Sequence, residues 1–295
     1  MKYYMYRGKA PNFGDELNSY LLPRLLPDFF DEVEDPLFLG IGSILNNLHP
    51  QHLRKIVFGS GYGGTGYAPK PQIDEKWTIY SVRGPRTAAA LGLEPGKVAA
   101  DPAVMMTLFR TPAPQKRYKA SFMPHFESLT FSDWRAVAEA AGLHFIDPRS
   151  PVEQVLAELE ASEVVLAEAM HGAIVADALR VPWIALEPND PAHNFKWLDW
   201  AEALDIKLRP QPMAPASLYE VGMTTKALGR SWRPYVRPFR APLRLLPIKH
   251  FPNQAAAALV NASKTEPNLS PQPRLEAAVS RLQDDLVKLR RDFAA

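Results

Sequence analysis

A histidine followed by a glycine, His171 and Gly172, is the pair of residues in this 295-residue chain best placed to do chemistry. Imidazole changes its charge near neutral pH, and glycine lets a ligand approach the backbone closely. Two apolar runs, Val164 to Ala167 and Trp183 to Leu186, flank the pair, with an amphipathic segment 173–179 between them. This pattern predicts a strand, a helix and a second parallel strand. His171 is therefore expected at the carboxyl edge of a parallel sheet, where open α/β folds bind their ligands.

The start of the predicted helix favours an anion, because its first backbone N–H groups are unpaired and the helix dipole is positive there. This preference is worth roughly 0.3 to 1 kcal/mol, or about 2 kcal/mol when partly buried, which is too little to hold a substrate. Other polar and charged groups must therefore converge on the same place. The candidates follow other predicted strands or lie near the histidine: Asn12, Asp15, Arg83, Arg86, Asp101, His125, Glu168, His193 and Lys196.

The composition predicts a folded protein of the cytoplasm. With 46% hydrophobic and 22% charged residues the chain is globular rather than disordered, and a net charge of +2 argues against nucleic-acid binding. Cysteine is absent, so disulfides and thiol chemistry are excluded, as expected in a reducing compartment. No apolar run approaches the roughly 18 residues of a spanning helix, and the first residues lack the apolar core of a signal peptide.

Strands and helices alternate along two successive parts of the chain. Apolar runs predict strands at 2–6, 38–41, 56–58, 77–82 and 98–100, then at 120–123, 143–146, 164–167 and 183–186. The stretch 112–119, rich in Pro, Lys, Gln and Arg, is typical of a linker. We predict an α/β protein with two Rossmann-like domains, 1–115 and 116–210, that face a cleft, followed by an extension over 211–295.

Two loops in the first half leave alternatives open. The glycine-rich segment 59–66 follows a predicted strand and is either a phosphate-binding loop or a turn, since it lacks both a clear following helix and a Lys-Ser/Thr ending. Asn12 and Asp15 either cap the helix that begins near Leu17 or face the cleft.

The segment 226–249 is basic, with five arginines, interleaved aromatic residues and no acidic residue. Its prolines exclude a long regular helix. It lies either on an anionic membrane surface, where each cation is worth about 1 kcal/mol, or on the protein as a solvated linker. The first interpretation would place the protein on the inner face of the cytoplasmic membrane.

The end of the chain has a heptad pattern. After a stretch 254–273 that we expect to be flexible, apolar residues recur at alternating four- and three-residue spacing: Leu275, Val279, Leu282, Leu286, Leu289 and Phe293. This pattern predicts either self-association through a coiled coil over 275–293 or docking of the helix on the protein's own surface.

Familiar catalytic motifs do not account for the polar residues. The chain has neither the HExxH pattern of a zinc site nor the Gly-x-Ser-x-Gly turn of a serine hydrolase. Arginines, a lysine and histidines at strand ends suit a small polyanion, and carboxylates beside them suit activation of a sugar hydroxyl.

Five short motifs, in order along the chain, resemble the polysaccharide pyruvyltransferase family, in particular its ketal-forming members of xanthan and succinoglycan type. The motifs are Asn12 to Asp15, Ser81 to Thr87, Asp101 to Ala103, Met123 to His125, and Met170 to Gly172. The resemblance extends over about residues 3 to 206. It implies a GT-B-like fold and transfer of pyruvate from phosphoenolpyruvate to two hydroxyls of a terminal sugar, typically on a lipid-linked repeat unit. The expected reaction does not strictly demand a metal or redox cofactor.

The resemblance also implies roles for single residues. His171 corresponds to the family histidine that engages phosphoenolpyruvate, and Arg83 to the arginine of the VRGP-like motif. Many members carry an arginine two residues before that histidine, whereas Ala169 stands here. The missing charge must come from elsewhere, with Arg83, Arg86 and Lys196 as candidates.

The resulting hypothesis makes His171 the general acid and Asp101 or Asp15 the general base. The residues expected to bind substrate are Asn12, Arg83, Arg86, His125, Glu168, Gly172, His193 and Lys196. Two alternatives remain at this point. One is a GT-B glycosyltransferase that uses a nucleotide sugar, with Glu187 near the ribose, and the other is a non-catalytic assembly component that recruits partners through the extension.

Overall fold

The computed structural model of the protein describes residues 1–112, 114–224, 238 and 250–293. These residues form two four-stranded parallel sheets. The first has the spatial order β1 (Lys2–Tyr3), β2 (Leu37–Leu39), β3 (Lys55–Phe58), β4 (Trp77–Ser81). The second contains β5 (Ser121–Met123), β6 (His144–Phe145), β7 (Val165–Ala167) and β8 (Trp183–Ala185), in the order β6-β5-β7-β8. The predicted α/β class with parallel sheets is confirmed.

Helices surround both sheets. They are α1 (Phe13–Leu25), α2 (Pro85–Leu91), α3 (Trp134–Ala140), α4 (Val152–Glu160), α5 (Met170–Ala178), α6 (Asn194–Ala203), α7 (Leu218–Thr224), α8 (His250–Ala262) and α9 (Gln272–Phe293). Short 3₁₀ segments occupy Pro95–Lys97, Pro102–Phe109, Ser128–Thr130 and Pro191–His193. No helix in the described ranges is both long and apolar enough to cross a membrane.

The sequence explains why the central strands lie inside. Every residue of β3, β5, β7 and β8 is buried, as expected for parallel strands that helices cover on both faces. The two halves of the chain share one apolar cluster, in which Phe13 and Leu17 of α1 join Ala173 and Ile174 of α5. The carboxyl ends of the two sheets are thereby brought to a common junction.

Three local predictions are wrong. Residues 98–100 form no strand, because Val98 makes only an isolated bridge to Val82 and Pro102 then begins a 3₁₀ segment. Helix α5 begins at Met170 rather than at 173, which puts His171 in its first turn. The stretch 254–273 is not flexible, because most of it lies in α8 and the start of α9, and α8 buries apolar residues such as Leu259 against the second half.

The heptad face of α9 packs on the protein itself. Leu275, Val279, Leu282, Leu286 and Leu289 are buried in the main apolar cluster. The Tyr80 hydroxyl donates to Asp292 Oδ2 at 2.8 Å, which fastens the end of α9 to the first half of the chain. Docking on the protein's own surface is therefore confirmed. The coiled-coil alternative over 275–293 is wrong, since its apolar face is already covered.

The basic segment 226–249 lies outside the described residues apart from Pro238, so its two interpretations stay predictions. The domain boundaries at 115 and 210, the GT-B arrangement and the cleft also stay predictions.

Candidate active site

His171 lies where the two halves of the chain meet. Its side chain is 14% exposed and packs against Gly14 in the first turn of α1. A Cβ atom on residue 14 would lie 2.2 Å from His171 Nδ1, so only glycine fits there. The missing side chain of Gly172 makes room for Met123 of β5, whose Sδ would lie 2.6 Å from a Cβ atom, and so lets α5 approach the sheet. Its contact with a ligand stays a prediction.

A buried carboxylate stands beside the imidazole. Asp101 Oδ2 lies 3.5 Å from His171 Nε2, and neither atom has a hydrogen-bond partner elsewhere in the described chain. The other carboxylate oxygen of Asp101 accepts from the Ala103 N–H at 3.1 Å and caps the following 3₁₀ segment. Asp101 is fully buried, so its geometry suits holding the ring and its tautomer rather than touching a substrate. Nδ1 is then the ring nitrogen left to act on a substrate.

Asp15 is the carboxylate at the junction that is not fully enclosed. Asn12 occupies the N-cap position of α1, but its amide donates to Asp15 Oδ2 at 2.8 Å instead of its side chain capping a backbone N–H. Burial raises the pKa of Asp15, and the Asn12 hydrogen bond, His171 and Lys196 partly offset that rise. The electrostatic coupling to His171 and Lys196 means that Asp15 shares their surroundings, and a raised pKa suits a general base.

Lys196 of the second half interacts electrostatically with the Asp15 carboxylate, and two histidines lie near Lys196. The His125 and His193 rings lie 4.8 Å apart, and the His193 ring lies 5.6 Å from that of Tyr67. Lys196 Nζ lies 5.3 Å from the Tyr67 ring centroid. Lys196 is 8% exposed, and its ammonium makes no side-chain hydrogen bond or salt bridge to any described residue. Asp15 attracts this ammonium, but no carboxylate of the described residues contacts it directly, and such burial of a charge is costly, so this position suits the binding of an anion.

Burial lowers the pKa values of Lys196 and His125. Desolvation, followed by repulsion from Arg83, lowers the pKa of Lys196 to about 8. Desolvation and the charge of Lys196 hold the pKa of His125 well below its usual 6.5. Around neutral pH, Lys196 is thus the cation of the group and His125 is a neutral imidazole. Within the described chain, no three His, Cys, Asp or Glu side chains lie close enough to hold a metal ion.

The two arginines of the VRGP-like motif bind protein groups. Arg83 is fully buried, and its guanidinium donates to Asp199 Oδ2 at 2.9 Å, Ser43 Oγ at 2.7 Å and the Tyr62 carbonyl at 2.8 Å. Arg86 forms a salt bridge of 2.7 Å with Glu202 near the surface. Both contacts join the first half to α6. The geometry therefore suits these arginines to positioning α6, and Lys196 is the candidate left to supply the charge missing at Ala169.

Glu168 is also satisfied by protein groups. It accepts hydrogen bonds from the His125 N–H at 2.8 Å, Ser128 Oγ at 2.8 Å and the Asn189 N–H at 3.3 Å. Burial raises its pKa to about 7 in spite of these bonds. Glu168 thus holds together the loops after β5 and β8, including the one that carries His125.

This shift predicts a pH dependence of stability. Since the folded pKa of about 7 exceeds the ordinary value of 4.5, the contribution of Glu168 to stability is full below pH 4.5 and lost as the pH rises through 7. We expect Glu168→Gln to flatten the dependence of the free energy of unfolding on pH between 5 and 8, measured by urea denaturation. An unchanged slope would contradict the assignment, and Glu153→Gln on the exposed face of α4 is the matched control.

The glycine-rich segment makes room for side chains. Cβ atoms would lie 2.1 Å from Arg83 Cζ at Gly61, 2.3 Å from Tyr67 Cδ1 at Gly63 and 2.9 Å from Phe195 Cβ at Gly64. These glycines let the segment pack closely against protein side chains, and the turn at 65–67 places Tyr67 beside Lys196. Binding of phosphate by this segment stays a prediction. Tyr67 was not predicted from the sequence. The one indication was its position, as an aromatic residue directly after the glycine-rich segment.

These features together are typical of an α/β enzyme. An imidazole–carboxylate pair lies where the two halves of the chain meet, and the ammonium of Lys196 makes no hydrogen bond or salt bridge to a described residue. A family profile described as polysaccharide pyruvyl transferase matches residues 12–190. The chain therefore belongs to this family and is a pyruvyltransferase, as the order of its motifs predicted. This result sets aside the glycosyltransferase and the non-catalytic component.

One relative resembles the chain over nearly its whole length. The succinoglycan biosynthesis protein ExoV of Rhizobium meliloti (strain 1021) is 37% identical over 319 residues, which cover 99% of this chain and 100% of that protein. No solved structure matches the chain. His193 and Lys196 lie just beyond the family match, so their assignment depends on the geometry of the site.

Proposed function

We propose that the enzyme transfers pyruvate from phosphoenolpyruvate to two hydroxyls of a terminal sugar on an exopolysaccharide repeat unit, and releases phosphate as a cyclic ketal forms. The observation that carries the donor assignment is the buried Lys196 ammonium, which makes no hydrogen bond or salt bridge to a described residue and lies near the imidazoles of His125 and His193. A small trianion supplies the charge that this group lacks. The exopolysaccharide acceptor is inferred from the similarity to ExoV, a succinoglycan biosynthesis protein.

The first chemical step in this proposal is addition to the enol. His171 gives a proton from Nδ1 to the methylene carbon of phosphoenolpyruvate, while Asp101 stabilises the imidazolium and holds the ring. The first sugar hydroxyl attacks the neighbouring carbon, and its proton passes to Asp15. This step leaves a tetrahedral carbon that carries a methyl group, a carboxylate, the sugar oxygen and the phosphate ester.

The second step closes the ketal. The bond between carbon and the phosphate oxygen breaks, with its electron pair leaving on phosphate, and the second hydroxyl attacks the same carbon. That hydroxyl's proton goes to the departing phosphate, whose charge Lys196 neutralises. The proton held by Asp15 restores His171 through solvent, so that one proton ends on carbon and one on phosphate.

In this proposal the reaction takes place at the cytoplasmic membrane. A GT-B-like cleft between the two halves would admit a lipid-linked repeat unit, and the basic segment 226–249 would hold the enzyme on the anionic inner face of the membrane. The five arginines and the lack of acidic residues in that segment support the membrane contact.

The test is an assay of phosphate release from phosphoenolpyruvate with a panel of depyruvylated exopolysaccharide oligosaccharides. We expect phosphate and a sugar-bound pyruvate ketal in equal amounts, with the ketal detected by NMR. Phosphate release without ketal, or ketal formation from another donor, would refute the proposal.

The role of Lys196 predicts an alkaline limit to donor binding. Since its pKa is about 8, the ammonium is lost as the pH rises through that value, and kcat/KM for phosphoenolpyruvate should fall. Lys196→Gln should lower kcat/KM by about 10- to 100-fold, the worth of a hydrogen bond to a charged group. Lys196→Arg keeps its charge at all these pH values and should move the limit upward. If kcat/KM of Lys196→Arg falls at the same pH as that of the wild type, a group other than Lys196 causes the fall.

A further inference from the structure

A cavity of about 200 Å³ is lined in part by α6, the helix that also carries Lys196 of the proposed donor site. It is formed by the segment after β8, the start of α6 and the segment that follows α6. Its walls include Glu187, Pro188, Pro191, Asn194, Trp197 and Leu208. None of the chemistry proposed above uses these residues, so the cavity needs its own explanation.

The cavity combines flat apolar walls with polar groups that have no partner. Three prolines and three leucines provide most of the walls, with the 2% of Trp197 that is exposed. Glu187 and Asn194 are exposed at the rim, and neither side chain makes a hydrogen bond or salt bridge to a described residue. Trp197 is 2% exposed, and its indole N–H is buried without a hydrogen-bond acceptor in the described chain. A sugar ring matches this combination, because its faces carry C–H groups and its edge carries hydroxyls that both donate and accept.

Helix α6 relates this cavity to the donor site. Asn194, Trp197 and Leu198 are spaced i, i+3 and i+4 and thus share the face of the helix that lines the cavity. Lys196 and Asp199 share another face, which is turned toward Tyr67 and Arg83. One helix is therefore a wall of both spaces. In addition, Pro191 and His193 belong to the same 3₁₀ turn, with Pro191 at the cavity and His193 at the donor site.

We propose that this cavity binds a sugar ring of the acceptor next to the terminal sugar that receives pyruvate, an inference that rests on the proposed function. Its volume is below the roughly 300 Å³ at which sites for drug-sized ligands begin, which fits one ring and not a longer chain. The Glu187 carboxylate accepts from sugar hydroxyls, and the Asn194 amide donates and accepts. The site makes the enzyme prefer oligosaccharides to single sugars.

The experiment compares an acceptor that can reach the cavity with one that cannot. The probes are a depyruvylated succinoglycan oligosaccharide of several hexoses and the methyl glycoside of a single hexose. For Glu187→Gln we expect the ratio of kcat/KM for the oligosaccharide to that for the glycoside to fall about 10-fold, and for Asn194→Ala about 3- to 10-fold. The matched control is Glu153→Gln on the exposed face of α4, which should leave the ratio as in the wild type. An unchanged ratio in both cavity variants would overturn the proposal.

Calorimetry separates this proposal from the proposed function. The oligosaccharide is titrated into the full-length protein without phosphoenolpyruvate, and we expect Glu187→Gln and Asn194→Ala to weaken its binding by the same factors. If no acceptor supports phosphate release but both variants weaken binding, the cavity is a saccharide site and the proposed reaction is wrong. If the wild-type protein does not bind the oligosaccharide, or the variants bind it equally well, the saccharide site is refuted whatever the reaction.

Discussion

Replacing His171 by Ala is expected to lower the rate of ketal formation by about 10²- to 10⁴-fold, the range for loss of a general acid. The side chain lies at the junction of the two halves, with Nε2 beside Asp101 and Nδ1 next to Gly14. Truncation removes the proton donor while Gly14 and the rest of α5 keep their places, so the fold should persist. The measurements are phosphate release, ketal formation by NMR, and circular dichroism to verify folding.

Two further variants give this prediction its controls. His144→Ala removes a 24% exposed histidine at the start of β6 that stacks on Tyr118 at 3.6 Å and is not among the residues of the proposed site, so this variant should retain activity. Asp101→Asn removes the charge beside His171 and should lower kcat with a smaller change in KM for phosphoenolpyruvate, because it positions the ring without touching the donor. Retention of full activity in His171→Ala would remove this residue from the mechanism.

The second large effect concerns stability. Replacing Asp199 by Ala should lower the free energy of unfolding by about 3 to 5 kcal/mol, because it leaves the Arg83 guanidinium buried without its carboxylate. Asp199 also accepts from the backbone N–H of Thr87 at 2.8 Å and from its hydroxyl at 2.6 Å, and these donors would lose their partner as well. Urea denaturation of the wild type and the variant gives the difference.

A neighbouring ion pair is the matched control. Arg86 and Glu202 also join α2 to α6, but their side chains are 40% and 42% exposed. Glu202→Ala should therefore cost at most about 1 kcal/mol, since water screens the pair and solvates the arginine left behind. Equal losses in Asp199→Ala and Glu202→Ala would mean that the buried pair does not hold α6 in place.

Local patterns in the sequence were sufficient for most of the framework. Short apolar runs followed by Gly, Pro or polar residues located eight of the nine predicted strands, since a strand buried on both faces needs a continuous apolar run. The ninth, at 98–100, failed because an apolar triplet before Asp101 and Pro102 is equally suited to the approach to a 3₁₀ turn. The prediction that residues 254–273 are flexible is wrong because the alanine-rich helix α8 is stabilised by burial against α3 and its surroundings. Composition gives no information about such a long-range contact.

The position of His171 could also be predicted, because a strand, a turn and a helix fix where a residue between them lies. The roles of the residues around it could not be predicted from the sequence. Arg83 and Lys196 were equivalent cations in the sequence, yet one is paired with Asp199 and the other has no hydrogen-bonding partner in the described chain. Asp101 and Asp15 were equivalent carboxylates, and burial separates them into a residue that holds the imidazole and one that can reach a hydroxyl.

The sequence by itself determined the α/β class, the family through five ordered motifs, and the histidine at the start of α5, because each of these depends on residues close together in the chain. Only the tertiary structure decided which charges are neutralised by protein partners, that α9 covers the body with its heptad face, and that Tyr67 lies beside Lys196. These outcomes depend on contacts between residues more than 100 positions apart, such as that of Arg83 with Asp199. Burial and pairing at such contacts set both the charge of a side chain and its freedom to bind a ligand.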